Sequence, residues 1–379
     1  MRVCIVYDCL YPHTVGGAER WYRNVASRLA EEGHDVTYLT MRQWGASENP
    51  ELPGVRIVAV TRQMSLYANG RRRILPTLLF GTGVLRHLIR HGRRYDAVHT
   101  ASFPYFSLLA TAVARPVGGY RVFVDWHEFW TRSYWGEYLG RFRGWFGWRI
   151  QRLCLRVPQH AFCFSRLVER RLLAERLRGG VTVLGGQFEG TPSIAPLPAE
   201  QRVVFAGRHI PEKNPVAVVS AVAKARESIP ELRVTIFGDG PERPGVLAAI
   251  AELELGDVVE APGFVDATEV EDAMARALCL VLPSRREGYG LVVLEALSKG
   301  TPVVLVQGAD NAATEFIEEG KNGFVAADAS MEVLAEAVIR VRDGGDSLRS
   351  STLAWFFRRA DRLSLESSLG VVSGAYAGE

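Results

Sequence analysis

The sequence predicts an α/β protein built from two doubly wound, Rossmann-like domains. Three observations carry this. Strand-length apolar runs alternate with helix-length segments through both halves of the chain. A turn-rich stretch from Gly185 to Pro198 shows little periodicity and reads as the linker between the halves. The 379 residues, 47% hydrophobic and 23% charged, are enough for two ordinary globular cores.

In the first half the strand-like runs are Arg2–Tyr7, Asp35–Thr40, Val55–Val60, Ala97–Thr100, Arg121–Val124, His160–Phe164 and Val181–Leu184. Helical segments at Trp21–Glu32, Leu75–Arg90 and Leu167–Arg178 fall between several of them. Such an order implies a parallel sheet with crossover helices. The second half repeats the theme. Strand-like Arg202–Ala206, Arg233–Phe237, Leu278–Leu282 and Pro302–Val306 alternate with Val216–Ser228, Val246–Leu253, Thr268–Ala275, Leu291–Ser298, Ala313–Glu318 and Met331–Arg342. Domains at 1–187 and 188–354 are therefore expected.

Composition narrows the function classes. No apolar run approaches the length needed to cross a bilayer, and the chain opens directly on a strand-like run, so a cytoplasmic protein is expected. Five scattered cysteines, most in apolar segments, read as buried thiols rather than a disulfide framework, and no Cys/His cluster has zinc spacing. The net charge of +3 hides a strong polarity. Residues 1–190 hold 27 Arg, no Lys and 14 Asp or Glu, a net of +13. The remainder has a net of −10. Residues 126–156 mix ten aromatics with Arg132, Arg141, Arg143, Arg149, Arg152 and Arg156. Another basic group comprises Arg71–Arg73, Arg86, Arg90, Arg93 and Arg94. An anionic membrane surface, as for a protein peripheral at the inner face, suits this pattern. So does an anionic acceptor, and so does a solvated basic face over a tryptophan-rich core. Nucleic acid is not expected, since no nucleic-acid motif accompanies the charge.

The segment 284–300 is the most informative. Ala277–Leu282 is apolar and closed by Pro283, which reads as a buried strand. Glu287-Gly288-Tyr289-Gly290 then forms a turn, and Leu291-Val292 open a helix that carries Glu295 one turn in. Unpaired N–H groups near Gly290 and Leu291, with the helix dipole, favour a phosphate. Carboxylates beside a phosphate site accept from hydroxyls instead. Phosphates and hydroxyls in one crevice suggest a nucleotide sugar. Read singly, Glu287 could be an N-cap and Glu295 an exposed helix residue. Tyr289 packs on a sugar or simply fills the turn.

The spacing of Glu287 and Glu295 resembles the E-x7-E signature of family 4 glycosyltransferases, retaining enzymes of the GT-B fold. Further motifs extend the resemblance over nearly the whole chain. Gly16-Gly17-Ala18-Glu19 is similar to the family's N-terminal glycine loop. Asp125-Trp126-His127-Glu128 is similar to its His-acid step. Gly207-Arg208 with Glu212-Lys213-Asn214 resembles its basic phosphate clamp. Gly238-Asp239-Gly240 and Pro262-Gly263-Phe264 stand where its nucleoside-side loops fall.

The resemblance implies two domains facing across a cleft, with about 355–379 crossing back to the first. It implies a donor, a hexose linked to UDP or GDP, held by the second domain, and a hydroxyl acceptor on the first. Arg208 and Lys213 would neutralise the departing diphosphate. Gly16 and Gly17 would admit the phosphates, Glu295 would accept from the ribose and Glu287 from the transferred sugar. Gly207, Gly238, Phe264, Gly288, Tyr289, Gly290, Leu291 and Val292 would line the donor site. His127 would contact a donor hydroxyl, or else be a core histidine satisfied by Glu128 or a carbonyl; His99 reads as structural. Retention by front-face attack is expected, with no cofactor. No Asp-x-Asp occurs, so a metal held by that motif is not expected. One departure stands out: the family's Asn-Gly-x-Asp turn before the linker is replaced by Leu184-Gly-Gly-Gln-Phe-Glu189. A nicotinamide oxidoreductase would need Gly-x-Gly-x-x-Gly after the first strand, and Gly16-Gly17 arrives late. A membrane adaptor, epimerase or nucleotide-sugar hydrolase are the remaining alternatives.

Overall fold

The computed structural model describes residues 1–14, 16–45, 47–68 and 71–378, with the backbone alone at 67, 68, 71 and 72. The side chains of Arg71 and Arg72, part of the second basic group, therefore lie outside the described residues. The chain divides into two compact units, one of Met1–Gln187 with the segment from Leu365 on, the other of Phe188–Ser364.

The first unit is built on a parallel sheet of seven strands among the described residues. These are β1 (Arg2–Val6), β2 (Asp35–Met41), β3 (Val55–Thr61), β6 (Ala97–Ala101), β7 (Arg121–Trp126), β8 (Gln159–Cys163) and β9 (Gly179–Val183). The short strands β4 (Tyr67–Ala68) and β5 (Arg71–Arg72) pair antiparallel outside it. The order is β3-β2-β1-β6-β7-β8-β9. Val3, Cys4, Ile5 and Val6 are fully buried, as a central parallel strand covered on both faces requires. The chain runs one way from β1 to β3, returns, and continues from β6 to β9. The switch point lies between β1 and β6.

The helix Leu365–Ala377 belongs to this unit. Tyr376 places its hydroxyl 2.8 Å from His99 Nδ1, and Ser368 Oγ exchanges hydrogen bonds with Gly186 N (3.0 Å) and O (2.6 Å). The return begins at Leu365 rather than near Trp355. Trp355 Nε1 donates to Glu318 Oε1 (2.7 Å), and Arg359 pairs with the same carboxylate (2.5 Å), which keeps the end of helix Met331–Phe357 in the second unit.

The second unit has six parallel strands among the described residues: β10 (Arg202–Ala206), β11 (Arg233–Phe237), β12 (Val259–Gly263), β13 (Cys279–Leu282), β15 (Val303–Val306) and β17 (Gly323–Ala326). Their order is β12-β11-β10-β13-β15-β17. The switch point falls between β10 and β13, whose core residues Val203, Val204, Phe205, Cys279, Leu280 and Leu282 have no exposed surface. A two-residue parallel pair stands apart from this sheet, β14 (Arg286–Glu287) against β16 (Asp310–Asn311).

Several elements differ from the expectation. Ala313–Glu318, expected as a helix, is a 3-10 turn over Ala312–Phe316. β12, expected as a loop, is an edge strand whose Pro262 costs only an unneeded ladder donor there. The helices Tyr105–Gly118, Arg132–Leu139 and Arg141–Leu155 were not among the expected elements. No helix among the described residues is long and apolar enough to cross a membrane.

Candidate functional site

Two loops leave the carboxyl ends of β10 and β13, where open parallel sheets place their ligands. The first begins at Gly207-Arg208. It is pinned by Gly207 N donating to Phe237 O (3.2 Å) and His209 N donating to Asp239 O (2.8 Å). Gly238 makes this approach possible: its φ is +109°, and a Cβ there would lie 2.0 Å from Gly207 O. Arg208 is exposed, and its guanidinium makes no hydrogen bond or ion pair among the described residues. The loop ends at Asn214, and Pro215 opens the next helix.

The second loop runs from Pro283 to Gly290. Arg285 N donates to Glu212 O (2.9 Å), which stitches the two loops together. Glu287 is not in an open turn, as the sequence suggested, but in β14, paired with Asn311. Its carboxylate is 7% exposed. Oε1 accepts from Ser284 Oγ (2.9 Å) and forms an ion pair with Lys213 Nζ. Asn311, buried, braces the turn. Its Nδ2 donates to Ser284 O (3.1 Å) and Val306 O (2.9 Å), and its Oδ1 accepts from Ala313 N (3.2 Å). Tyr289 lies edge-on to Phe316 at 5.1 Å and is 9% exposed, so in this structure its ring fills the turn.

Gly290 caps the helix Leu291–Ser298 with φ 89° and ψ 54°; Val293 N donates to Gly290 O (2.9 Å), and among the described residues no side chain bonds the N–H groups of Leu291 and Val292. A Cβ at Gly290 would stand 2.7 Å from Ala313 Cβ. This end of the helix therefore keeps free donors and the positive end of its dipole. Leu291, Val292 and Glu295 are half-buried along the same helix. Phe264, just past β12, is 78% exposed. The second unit thus brings Gly207, Arg208, Lys213, Gly238, Glu287, Gly288, Tyr289, Gly290, Leu291, Val292 and Glu295 onto loops and a helix at the carboxyl end of its sheet. Sequence reasoning missed Ser284 and Asn311, whose roles come from contacts made across the fold.

The remaining candidates belong to the first unit. Gly16, at the N-cap of the helix Gly17–Glu31, is in extended backbone and has no side chain with which to cap it. His127 follows β7 at its carboxyl end. Its ring stacks on Phe164 at 5.3 Å and meets the Tyr22 ring edge-on at 6.1 Å. Burial holds its pKa below the usual value, so the imidazole is kept neutral. Its Nε2 is enclosed and has no partner among the described residues. Glu128 instead accepts from Trp130 Nε1 (2.9 Å). His99 lies in a fully buried network. Its Nε2 is 3.0 Å from Asp125 Oδ1, and Trp21 Nε1 donates to Asp125 Oδ2 (2.7 Å). Burial would raise the Asp125 pKa, but His99 and the donors around the carboxylate outweigh it and hold it down.

Comparison with known proteins follows this division. Residues 15–185 match the family model "Glycosyltransferase Family 4", and residues 193–351 match "Glycosyl transferases group 1". Glycogen synthase of Mycobacterium tuberculosis is 25% identical over 371 residues, covering 90% of this chain and 86% of the relative. Among solved structures, sucrose-phosphate synthase from Thermosynechococcus elongatus superposes with a TM-score of 0.81 at 18% identity, covering 100% of this chain and 98% of that one. Anabaena HepE in complex with UDP-glucose superposes with a TM-score of 0.71 at 16% identity, covering 100% of both chains. These two share the fold, two Rossmann-like units of the GT-B type.

Proposed function

The chain belongs to glycosyltransferase family 4, and from that premise we propose that it moves a hexose from a nucleoside-diphosphate sugar to an acceptor hydroxyl with retention of anomeric configuration. The observation that carries this is the junction of two features at the β10/β13 switch point. An uncapped helix end at Gly290 offers free N–H donors, and the connected loop supplies two cations, Arg208 and Lys213. That combination suits a diphosphate. The HepE structure contains UDP-glucose, which supports a uridine donor here.

In this reading the sugar C1–O bond to the diphosphate breaks as the acceptor oxygen bonds to C1 on the same face. The acceptor proton passes to the departing phosphate oxygen. Negative charge grows on the diphosphate, and Arg208, Lys213 and the helix N–H groups lie ready for it before the reaction starts. Glu287, already aligned by Ser284 and Lys213, accepts from hydroxyls of the transferred sugar, and Glu295 accepts from the ribose. Gly207, Gly238, Phe264 and the Gly288–Val292 turn line the donor site. His127 and the Gly16-Gly17 loop are assigned to the same reaction on the family resemblance.

Thermal-shift measurements with UDP, GDP and ADP test the donor site. A nucleotide at about 100 times its Kd adds about 2.7 kcal/mol to stability, enough to raise the melting midpoint by several degrees. No shift with any of the three, together with no nucleotide released from any nucleotide sugar, overturns the proposal. Release without transfer to any acceptor would point to a hydrolase.

A further inference from the structure

We propose that the helix Arg141–Leu155 of the first unit docks on an anionic phospholipid surface through its Phe142-Trp145-Phe146 end. One face of this helix is fixed to the protein. Gly144, Gln151, Cys154 and Leu155 are buried. A Cβ at Gly144 would lie 2.2 Å from Trp135 O, so the helix sits flush on its neighbour. Gln151 locks it: Oε1 accepts from Tyr105 OH (2.8 Å) and Trp130 N (3.1 Å), and Nε2 donates to Trp130 O (2.8 Å).

The opposite face carries large apolar groups in the open. Phe142 is 75% exposed, Trp145 42%, Phe146 48% and Leu153 49%. Their spacing puts them on one side of the helix. The rings associate with each other, Phe142 to Phe146 at 5.2 Å and Trp145 to Phe146 at 4.9 Å, and nothing else among the described residues covers them to the degree a core would. A contiguous apolar surface of this kind marks an interaction site.

The charge pattern identifies the partner. Residues 141–156 contain five Arg and no Asp or Glu. Arg149 lies 5.6 Å over the Trp145 ring, while Arg132 and Arg152 flank Trp148 at 5.2 and 5.0 Å. Aromatic rings at the headgroup level with guanidinium groups among phosphates are what an interfacial helix needs. A second apolar tip supports the assignment. Helix Ile74–His91 exposes Ile74 (58%), Leu75 (56%) and Leu78 (43%) at its start. Each helix lies on a crossover that leaves the carboxyl end of a parallel strand, β3 for the one and β7, by way of helix Arg132–Leu139, for the other. An acceptor carried by such a surface would arrive at the end of the sheet that also holds His127.

Co-sedimentation of the full chain with vesicles tests this. Phosphatidylcholine vesicles containing phosphatidylglycerol should bind the protein at low salt, and binding should fall as salt rises. Pure phosphatidylcholine vesicles should bind it far less. Arg141→Gln/Arg143→Gln/Arg149→Gln should lower partitioning about a hundredfold, at about 1 kcal/mol per basic residue. Phe142→Ser/Phe146→Ser should lower it about tenfold or more. Brominated lipids should quench less fluorescence in Trp145→Phe than in the native chain. Both multiple variants should keep the native melting midpoint, since the altered side chains face outward. Absence of binding to anionic vesicles at low salt overturns the proposal. So does a lipid-free dimer that Phe142→Ser/Phe146→Ser dissociates, which would show a second copy as the cover.

Discussion

Replacing Lys213 by alanine separates the chemistry of the β10/β13 site from its stability. In the native chain the Glu287 carboxylate, 7% exposed, is held by Lys213 Nζ and by Ser284 Oγ at 2.9 Å. The variant leaves that charge with the serine alone. Breaking a fully buried pair costs about 3–5 kcal/mol. The Lys213 side chain keeps 19% exposure, so water reaches the pair and the loss should be nearer about 1–3 kcal/mol. Turnover should fall more steeply, by about 10²–10³, because a cation aimed at the departing diphosphate is gone. The double variant Lys213→Ala/Glu287→Gln removes the orphaned charge as well. Its melting midpoint should recover most of the loss while nucleotide release stays low. Scanning fluorimetry and a nucleotide-release assay on the two single variants and the double complete the cycle. Turnover that returns together with stability in the double variant would make the pair a strut and refute its role in transfer. Native turnover in Lys213→Ala would refute it at once.

Gly290→Ala forces a side chain into φ 89° with its Cβ 2.7 Å from Ala313 Cβ. It should cost about 1–3 kcal/mol in a urea titration and raise the donor KM as the helix end shifts. Asn311→Ala orphans the Ser284 and Val306 carbonyls and the Ala313 N–H, for about 2–4 kcal/mol, and unchanged stability would show that water replaces the brace. The pKa of His87 is pushed down to about 4, first by burial and then by His91, Arg56 and Arg94. The unfolded chain therefore takes up that proton first, near 6.5. Stability is complete above 6.5 and drops as the pH falls towards about 4. His87→Gln should flatten that slope in melting midpoints measured against pH, and an unaltered slope would remove His87 from the account.

Much of the fold was legible because burial on both faces leaves a strong local imprint. Val3–Val6 and Cys279–Leu282 are continuous apolar runs, and each is followed by a glycine-containing turn and a helix. β12 was not legible, because its Pro262 and exposed Glu260 are tolerable only at a sheet edge. The helix Arg141–Leu155 was also not legible. Its inner face joins Gly144 and Gln151 to Cys154 and Leu155, while its outer face mixes exposed aromatic rings with arginines, so the apolar period is blurred. Glu287, Gly290 and Glu295 stood out through their spacing within one turn. The partners of Glu287 did not, for Lys213 lies 74 residues away.

What the sequence determined by itself was therefore local: strand and helix identity, the glycine turns, and the polarised charge of the two halves. These follow from short-range sterics and from periodicity, which neighbouring residues record. The tertiary structure alone decided that Lys213, Ser284 and Asn311 converge on the Glu287 turn, that His127 is held neutral against Phe164, and that Phe142, Trp145 and Phe146 are left uncovered. Each of these depends on which strands become neighbours in the sheet, and strand order is fixed by burial summed over a whole unit rather than by any one segment.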